Sequence, residues 1–158
     1  MIAENLTSYC FEELEVGMTA EYHRVINESD VKSFANLSGD INPLHLDTAY
    51  AEKTMFKGRI VHGAYTAALI SAVIGTKLPG PGCIYISQQV EFKAPVYIGD
   101  TVIAVAKIIK LIGSRKRAII NTNCMVGKKI VLVGEAIIQV PTFRQLSKMK
   151  IVAHHSNQ

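Results

Sequence analysis

Residues His62 to Thr76 read HGAYTAALISAVIGT and contain no Asp, Glu, Lys or Arg. A helix that is apolar on all sides must be covered on all sides. The segment is shorter than the roughly 18 residues that a membrane helix needs, and Pro79-Gly80-Pro81-Gly82 ends it soon afterwards. The stretch therefore predicts one long helix buried at the centre of the fold.

Strand patterns lie on both sides of this helix. Alternation and β-branched residues predict five strands, and tight turns are expected at Gly113-Ser114 and Gly127-Lys128. A single sheet must bury one face, so an α+β fold is expected, with one curved antiparallel sheet around the helix. The predicted strands are Thr19 to Ile26, Ile84 to Phe92 (Ile84, Ile86, Gln88, Val90 and Phe92 sharing a face), Thr101 to Ile112, Arg117 to Val126 and Lys129 to Val140.

The rest of the chain is divided by its capping residues. Ser29 is expected to cap a helix that ends near Gly39, and Asp47 to cap a second, short helix. The segment between them, Asp40 to Leu46, is expected to be a loop. These patterns predict an N-terminal arm over residues 1–10, a single domain over 11–141 and a C-terminal tail over 142–158.

Composition excludes several classes of protein. The chain has 158 residues, of which 49% are hydrophobic and 19% charged, so disorder is excluded. The net charge of +4 comes without a basic stripe interleaved with aromatic residues, so no nucleic-acid partner is expected. The three cysteines form no CxxC pair, and the N-terminus lacks signal-peptide character. A cytoplasmic protein without a membrane partner is therefore expected.

The segment from Asp40 to His45 is the first candidate for a functional site. A carboxylate and an imidazole five residues apart, beside the rigid Pro43, could enter one cavity and transfer protons there. Asn42 could hold either group by a hydrogen bond. The alternative is structural, with Asp40 capping a turn and His45 packed beneath the loop, and the spacing alone favours neither.

The start of the apolar helix is a second candidate. A helix N-terminus presents free N–H groups, and Gly63 has no side chain to block approach to its own. His62 is interpreted as a structural histidine near the helix cap. Ser71 lies two turns further along and could touch a substrate or bond to its own helix.

Four blocks together resemble the MaoC-like group, and among its members the short (R)-specific enoyl-CoA hydratases. They occur in the family's order and span residues 11–141 approximately. The blocks are Phe34 with Ser38-Gly39-Asp40-Ile41-Asn42-Pro43-Leu44-His45, Ile60-Val61-His62-Gly63, Leu78-Pro79-Gly80-Pro81-Gly82 and Phe92-Lys93-Ala94-Pro95-Val96-Tyr97-Ile98-Gly99-Asp100.

The resemblance implies a hot-dog fold, a homodimer and hydration of trans-2-enoyl-CoA to (R)-3-hydroxyacyl-CoA. It assigns Asp40 and His45 as the catalytic pair on one water and the Gly63 amide as the oxyanion donor. Asn42 would support the loop, and Ser71 would lie close to the substrate. No metal or redox cofactor is implied, since coenzyme A is part of the substrate.

Ile74 lies three residues beyond Ser71 and is expected to line the acyl pocket. Two alternative functions stay open. The same residues would serve a 3-hydroxyacyl-carrier-protein dehydratase of fatty-acid synthesis. A non-catalytic module that binds acyl thioesters is the other alternative, although such a module needs no proton-transfer pair.

Overall fold

A computed structural model describes residues 6–148 of the chain. Five antiparallel strands form one sheet in the order β1-β3-β4-β5-β2. The predicted α+β architecture, one sheet around one long helix, is confirmed. The elements are β1 (Thr19–Val25), α1 (Glu28–Ser38), α2 (Pro43–Leu46), α3 (Thr48–Ala51), α4 (Gly63–Thr76), β2 (Ile84–Phe92), β3 (Thr101–Ile112), β4 (Arg117–Val126) and β5 (Lys129–Gln139).

The core lies between α4 and the inner face of the sheet. Ile70, Val73 and Ile74 of α4 are completely buried. Alternate residues of the central strands meet them from the sheet, because successive side chains of a strand point to opposite faces. These inner residues include Val102, Ala104, Ala106 and Ile108 of β3 and Ala118, Ile120, Thr122 and Cys124 of β4.

One side of α4 is uncovered within the single chain, so the expectation of burial on all sides is wrong. Ala64, Ala68, Ser71 and Gly75 are exposed. Their spacing of four, three and four residues places them on one face of the helix. One sheet can cover only one side of a helix, and the side facing away from it carries these small residues.

Strand β2 contains an irregularity that the alternation did not predict. Tyr85 pairs with Ile138 and Ser87 with Ile137, so Ile86 is an extra residue between two paired positions. Such a bulge reverses the alternation of faces. Gln88, Val90 and Phe92 share a face as predicted, but the register places Tyr85 rather than Ile84 on that face.

Two local predictions are also corrected around α1 and α2. Asn27, not Ser29, caps α1, because its side chain accepts the Asp30 N–H and the Asp30 carboxylate accepts the Asn27 N–H. The predicted loop Asp40 to Leu46 contains the one-turn helix α2, which begins at Pro43. Pro is favoured at the first turn of a helix because its missing N–H is not needed there.

The hairpin turns differ from each other. Val126 pairs with Lys129, which confirms the two-residue turn at Gly127-Lys128. The turn after β3 is longer than predicted: a 3₁₀ turn covers Gly113–Arg115, and Lys116 follows it with φ 50°.

The segment before residue 11 is hydrogen-bonded to the end of α4. The Thr7 N–H donates to Thr76, and the Tyr9 N–H donates to Pro79. Gly80 lies under this segment, where a Cβ would be 1.8 Å from the carbonyl oxygen of Thr7. Most of the predicted C-terminal tail, residues 149–158, lies outside the described residues.

The structure also describes the cysteines and the lengths of the apolar helices. The three cysteines are free thiols, and burial raises the pKa of Cys124 to about 12. No helix within residues 6–148 is long and apolar enough to cross a membrane.

Candidate active site

The loop between α1 and α2 holds Asp40 by local hydrogen bonds. Gly39 ends α1 in the left-handed region, with φ 78°. The Asn42 N–H then donates to Asp40 Oδ1 at 3.2 Å, while Asn42 Oδ1 accepts the Leu44 N–H at 3.0 Å. Asn42 therefore supports the loop with its side chain and contacts the Asp40 carboxylate with its backbone.

His45 is buried at the end of α2 and has a defined orientation. Its Nδ1 lies 2.7 Å from the carbonyl oxygen of Ile60, and only 8% of the residue is exposed. A carbonyl oxygen can only accept, so Nδ1 carries the hydrogen. In the neutral ring, Nε2 then has a free lone pair that can accept a proton from water.

Three ionisable side chains converge here. A carboxylate oxygen of Asp40 and one ring nitrogen each of His45 and His62 lie within 4.8 Å of one another. Asp40 is exposed, whereas both histidines are buried. These donor types also suit a divalent transition metal, and the expectation of a metal-free reaction stays a prediction.

The structure brings His62 into this group, where sequence reasoning placed a structural histidine. Its Nε2 lies 2.9 Å from the carbonyl oxygen of Asp40, and its ring centroid lies 3.8 Å from that of His45. Phe34 packs against the same imidazole with a centroid distance of 5.0 Å. Contacts between residues 22 positions apart depend on tertiary packing, so no spacing rule could have identified them.

Gly63 is the first residue of α4 and lines a cavity of about 370 Å³. The first N–H groups of a helix have no partner inside the helix, and the helix dipole favours negative charge beside them. The cavity is mainly apolar and of a size typical of small-molecule sites. Its lining includes Met55, Phe56, Ile60, Val61, Thr66, Phe92, Lys93, Ala94, Pro95, Val96 and Val131.

The structure does not bring Ser71 and Ile74 to this cavity. Ser71 is exposed on the uncovered face of α4, and Ile74 is completely buried in the core. Although they are three residues apart, the two side chains have different surroundings in the single chain. Their assignment as substrate-binding residues stays a prediction.

An ion pair that sequence reasoning missed ties the second site segment to α1. Nη1 and Nη2 of Arg59 lie 3.0 and 2.5 Å from the two carboxylate oxygens of Glu28. Arg59 precedes Ile60, whose carbonyl oxygen orients His45. The hydrogen bonds from Arg59 lower the pKa of Glu28 to about 2, because they stabilise its ionised form.

Comparison with known proteins identifies relatives along most of the chain. The family model described as "MaoC like domain" matches residues 12–133. A protein of Methylorubrum extorquens named 3-hydroxybutyryl-CoA dehydratase is 52% identical over 83% of both chains. A protein of Rhodospirillum rubrum named (R)-specific enoyl-CoA hydratase is 47% identical over 89% of this chain and 98% of its own length.

A solved structure supports the same grouping. The unliganded R-hydratase PhaJ1 of Pseudomonas aeruginosa is 43% identical, has a TM-score of 0.82 and is matched over 87% of this chain and 88% of its own. The resemblance noted in the sequence, and the hot-dog fold it implied, are confirmed.

The Glu28–Arg59 pair predicts a specific acid sensitivity. Because the pKa of Glu28 is lowered from 4.5 to about 2 by folding, the pair stabilises the protein above pH 4.5 and the benefit disappears as the pH falls towards 2. Glu28 is 42% exposed, so solvent weakens the effect. At pH 6, Glu28→Gln should lower the melting temperature by about 1–3 °C, the shift expected for a partly exposed pair.

Thermal unfolding of wild type and Glu28→Gln at pH 6, 4, 3 and 2.5 measures the difference between their melting temperatures, which should become smaller at each lower pH. Arg59→Met is the matched background, in which Glu28→Gln should have a smaller effect, because only the exposed Lys32, 3.2 Å from Glu28, remains as a partner. An unchanged difference between pH 6 and pH 2.5 would contradict the assigned ion pair.

Proposed function

Because the chain belongs to the MaoC-like domain family, we propose that it adds water to trans-2-enoyl-CoA to give (R)-3-hydroxyacyl-CoA. One observation carries this proposal: Asp40 and His45 converge within 4.8 Å, beside the helix start at Gly63. The names of the two relatives describe a hydratase and a dehydratase of CoA thioesters. These are the two directions of one reversible reaction, so both names agree with a single site.

The reaction needs a group that accepts a proton and a group that supplies one. The water oxygen forms a bond to C3, one O–H bond of water breaks, and a proton is added to C2 as the double bond is lost. His45 offers the lone pair of Nε2, and Asp40 offers an ionisable carboxylate held by the Asn42 N–H. Together these two groups can orient one water and transfer both protons.

Negative charge develops on the thioester oxygen during this addition. Gly63, at the N-terminus of α4, is proposed to donate its N–H to that oxygen. An amide aimed at developing charge stabilises the transition state more than the substrate. Since the cavity reaches Gly63, we assign the part of the substrate near the thioester to it.

The carrier of the acyl group distinguishes the proposal from its nearest alternative. A 3-hydroxyacyl-carrier-protein dehydratase would use the same residues. Comparing kcat/KM for crotonyl-CoA with that for the crotonyl-carrier protein decides between them, and CoA should be preferred. Treatment with EDTA should leave the rate unchanged, because the chain's own groups transfer the protons.

The predicted homodimer would cover surfaces left open in the single chain. Besides the small-residue face of α4, strand β2 lies at an edge of the sheet, and Ile84 and Ile86 on it are 61% and 44% exposed. An exposed apolar edge strand is a surface that another chain can pair with. We propose that two copies meet along β2 and α4 about a two-fold axis.

Removal of either catalytic group should lower kcat strongly. Asp40→Asn keeps the shape of the side chain but cannot accept a proton, and His45→Gln removes the titrating ring. Each should reduce kcat for crotonyl-CoA hydration by roughly 10²–10⁴-fold, the usual contribution of a general acid or base. Because both act on one water, the double variant should lose far less than the product of the two single losses.

Melting curves of these variants serve as the control, since a structural role for the pair would lower the melting temperature and leave kcat nearly intact. Folded Asp40→Asn protein with wild-type kcat would contradict the catalytic role of Asp40. A wild-type protein that binds crotonyl-CoA without hydrating it would instead favour the thioester-binding module.

A side chain at Gly63 should block access to the oxyanion donor. Gly63→Ala is expected to reduce kcat by roughly 10²-fold, as the loss of one oxyanion donor does. The added Cβ would also lie 2.9 Å from Cε1 of Phe92, so packing could be disturbed as well. Phe92→Leu in the Gly63→Ala background removes that contact. Activity should stay low there, and recovery to the rate of Phe92→Leu alone would contradict the oxyanion assignment.

A charge on the uncovered face of α4 should prevent dimer formation. Ala68→Arg places a guanidinium where the second helix would pack, so light scattering after size exclusion should give the mass of one chain. Ile109→Arg, on an exposed residue of β3, is the matched control and should remain dimeric. An Ala68→Arg protein with the mass of a dimer would contradict the proposed interface.

A further inference from the structure

His62 is enclosed more tightly than either member of the catalytic pair. Only 1% of the residue is exposed. One face of its imidazole packs on His45, with a centroid distance of 3.8 Å and an interplanar angle of 31°. Phe34 contacts the same ring at 5.0 Å. The ring is therefore fixed in position by its two aromatic neighbours.

The two buried histidines form reciprocal hydrogen bonds between the two segments of the site. His45, from α2, donates to the carbonyl oxygen of Ile60 in the segment before α4. His62, from that second segment, donates from Nε2 to the carbonyl oxygen of Asp40 in the first. The side chain of each segment thus donates to a backbone carbonyl of the other, and the two donor rings pack against each other at an interplanar angle of 31°.

The other ring nitrogen of His62 differs from Nε2. Nδ1 is buried and has no hydrogen-bond partner among the described residues. A buried polar atom without a partner destabilises the folded state. The contacts that favour histidine at this position are therefore the Nε2–H bond to Asp40 and the packing against the rings of His45 and Phe34.

We propose that His62 is a positioning residue that fixes the Asp40 backbone and the His45 ring relative to each other. It lies directly before Gly63, the proposed oxyanion donor. The inference rests on the proposed hydratase function. Proton transfer to a bound thioester depends on placement to about half an ångström, and a displacement of about 1 Å can lower the rate 10²-fold. His62 contacts both groups, so its loss should impair the pair and spare the binding of substrate.

Two substitutions separate the contacts. His62→Phe keeps an aromatic ring in contact with Phe34 and His45 but has no donor for Asp40. His62→Gln keeps a donor near the place of Nε2 but has no ring. Since the relative placement of Asp40 and His45 depends on both contacts, each variant should lower kcat for crotonyl-CoA by about 10–100-fold. KM should stay within about threefold, because substrate binding does not use the side chain. His23→Phe, at an exposed histidine of β1, is the matched control and should keep wild-type kcat.

A double-variant cycle tests whether His62 acts through Asp40. In the Asp40→Asn background, His62→Phe should add almost nothing, because the Asp40–His45 pair that it positions acts as a unit and is already disabled. If His62→Phe acted only by unfolding part of the protein, its fold-loss of activity would multiply with the fold-loss caused by Asp40→Asn. Wild-type kcat in either His62 variant, or fully multiplicative losses in the cycle, would overturn the proposal.

Nitrogen-15 spectra of the wild-type protein provide a test that needs neither activity nor a folded variant. The contacts assign opposite tautomers to the two adjacent rings, with the hydrogen on Nδ1 in His45 and on Nε2 in His62. Two-bond proton–nitrogen correlations at alkaline pH report these tautomers for each of the five histidines. The same tautomer in both rings would overturn the reciprocal bonds.

Failure of the proposed function gives a different pattern. If the wild-type enzyme hydrates no enoyl thioester, the hydratase assignment fails whatever the tautomers are. If the wild type is active, Asp40→Asn is inactive and the His62 variants turn over normally, the hydratase assignment stands and the role of His62 is overturned.

Discussion

Burial of α4 against a single curved sheet is the constraint on which the rest of the structure depends. The inner faces of β3 and β4 supply small and branched side chains that fit around the helix. Because the helix is fixed in the interior, its N-terminus is also placed inside the protein, next to a cavity. Free N–H groups at that position can act on a bound molecule away from bulk water, where their electrostatic effect is stronger.

The site joins this helix start to the loop before α2. The loop is formed locally, by Gly39 at the end of α1 and by the cap that Asn42 provides. Neither element alone determines where the loop lies relative to α4. That relation is set by hydrogen bonds to main-chain carbonyls, from His45 to Ile60 and from His62 to Asp40. Both bonds use backbone acceptors, whose positions are fixed as soon as the two segments fold.

Sequence reasoning succeeded where the physical signal was local. The strand ends, the apolar helix and the rigid segment around Pro43 are consequences of periodicity, capping and turn chemistry, and the structure has them close to the predicted residues. The assignment of Ser29 as a cap failed because the neighbouring Asn27 competes for the same role and completes a capping box with Asp30. The face of Ile84 was misassigned because alternation cannot reveal an extra residue at Ile86, whose position depends on the partner strand.

The sequence by itself determined the fold class and the central helix, and it marked Asp40 and His45 as candidates for proton transfer, because periodicity and the rigid segment around Pro43 are signals among neighbours along the chain. Only the tertiary structure decided which side of α4 is left uncovered, since this depends on where the one sheet lies. It also decided that Ile74 belongs to the core and that His62 joins the site. Contacts between distant segments arise from the packing of whole elements, and no local pattern specifies them.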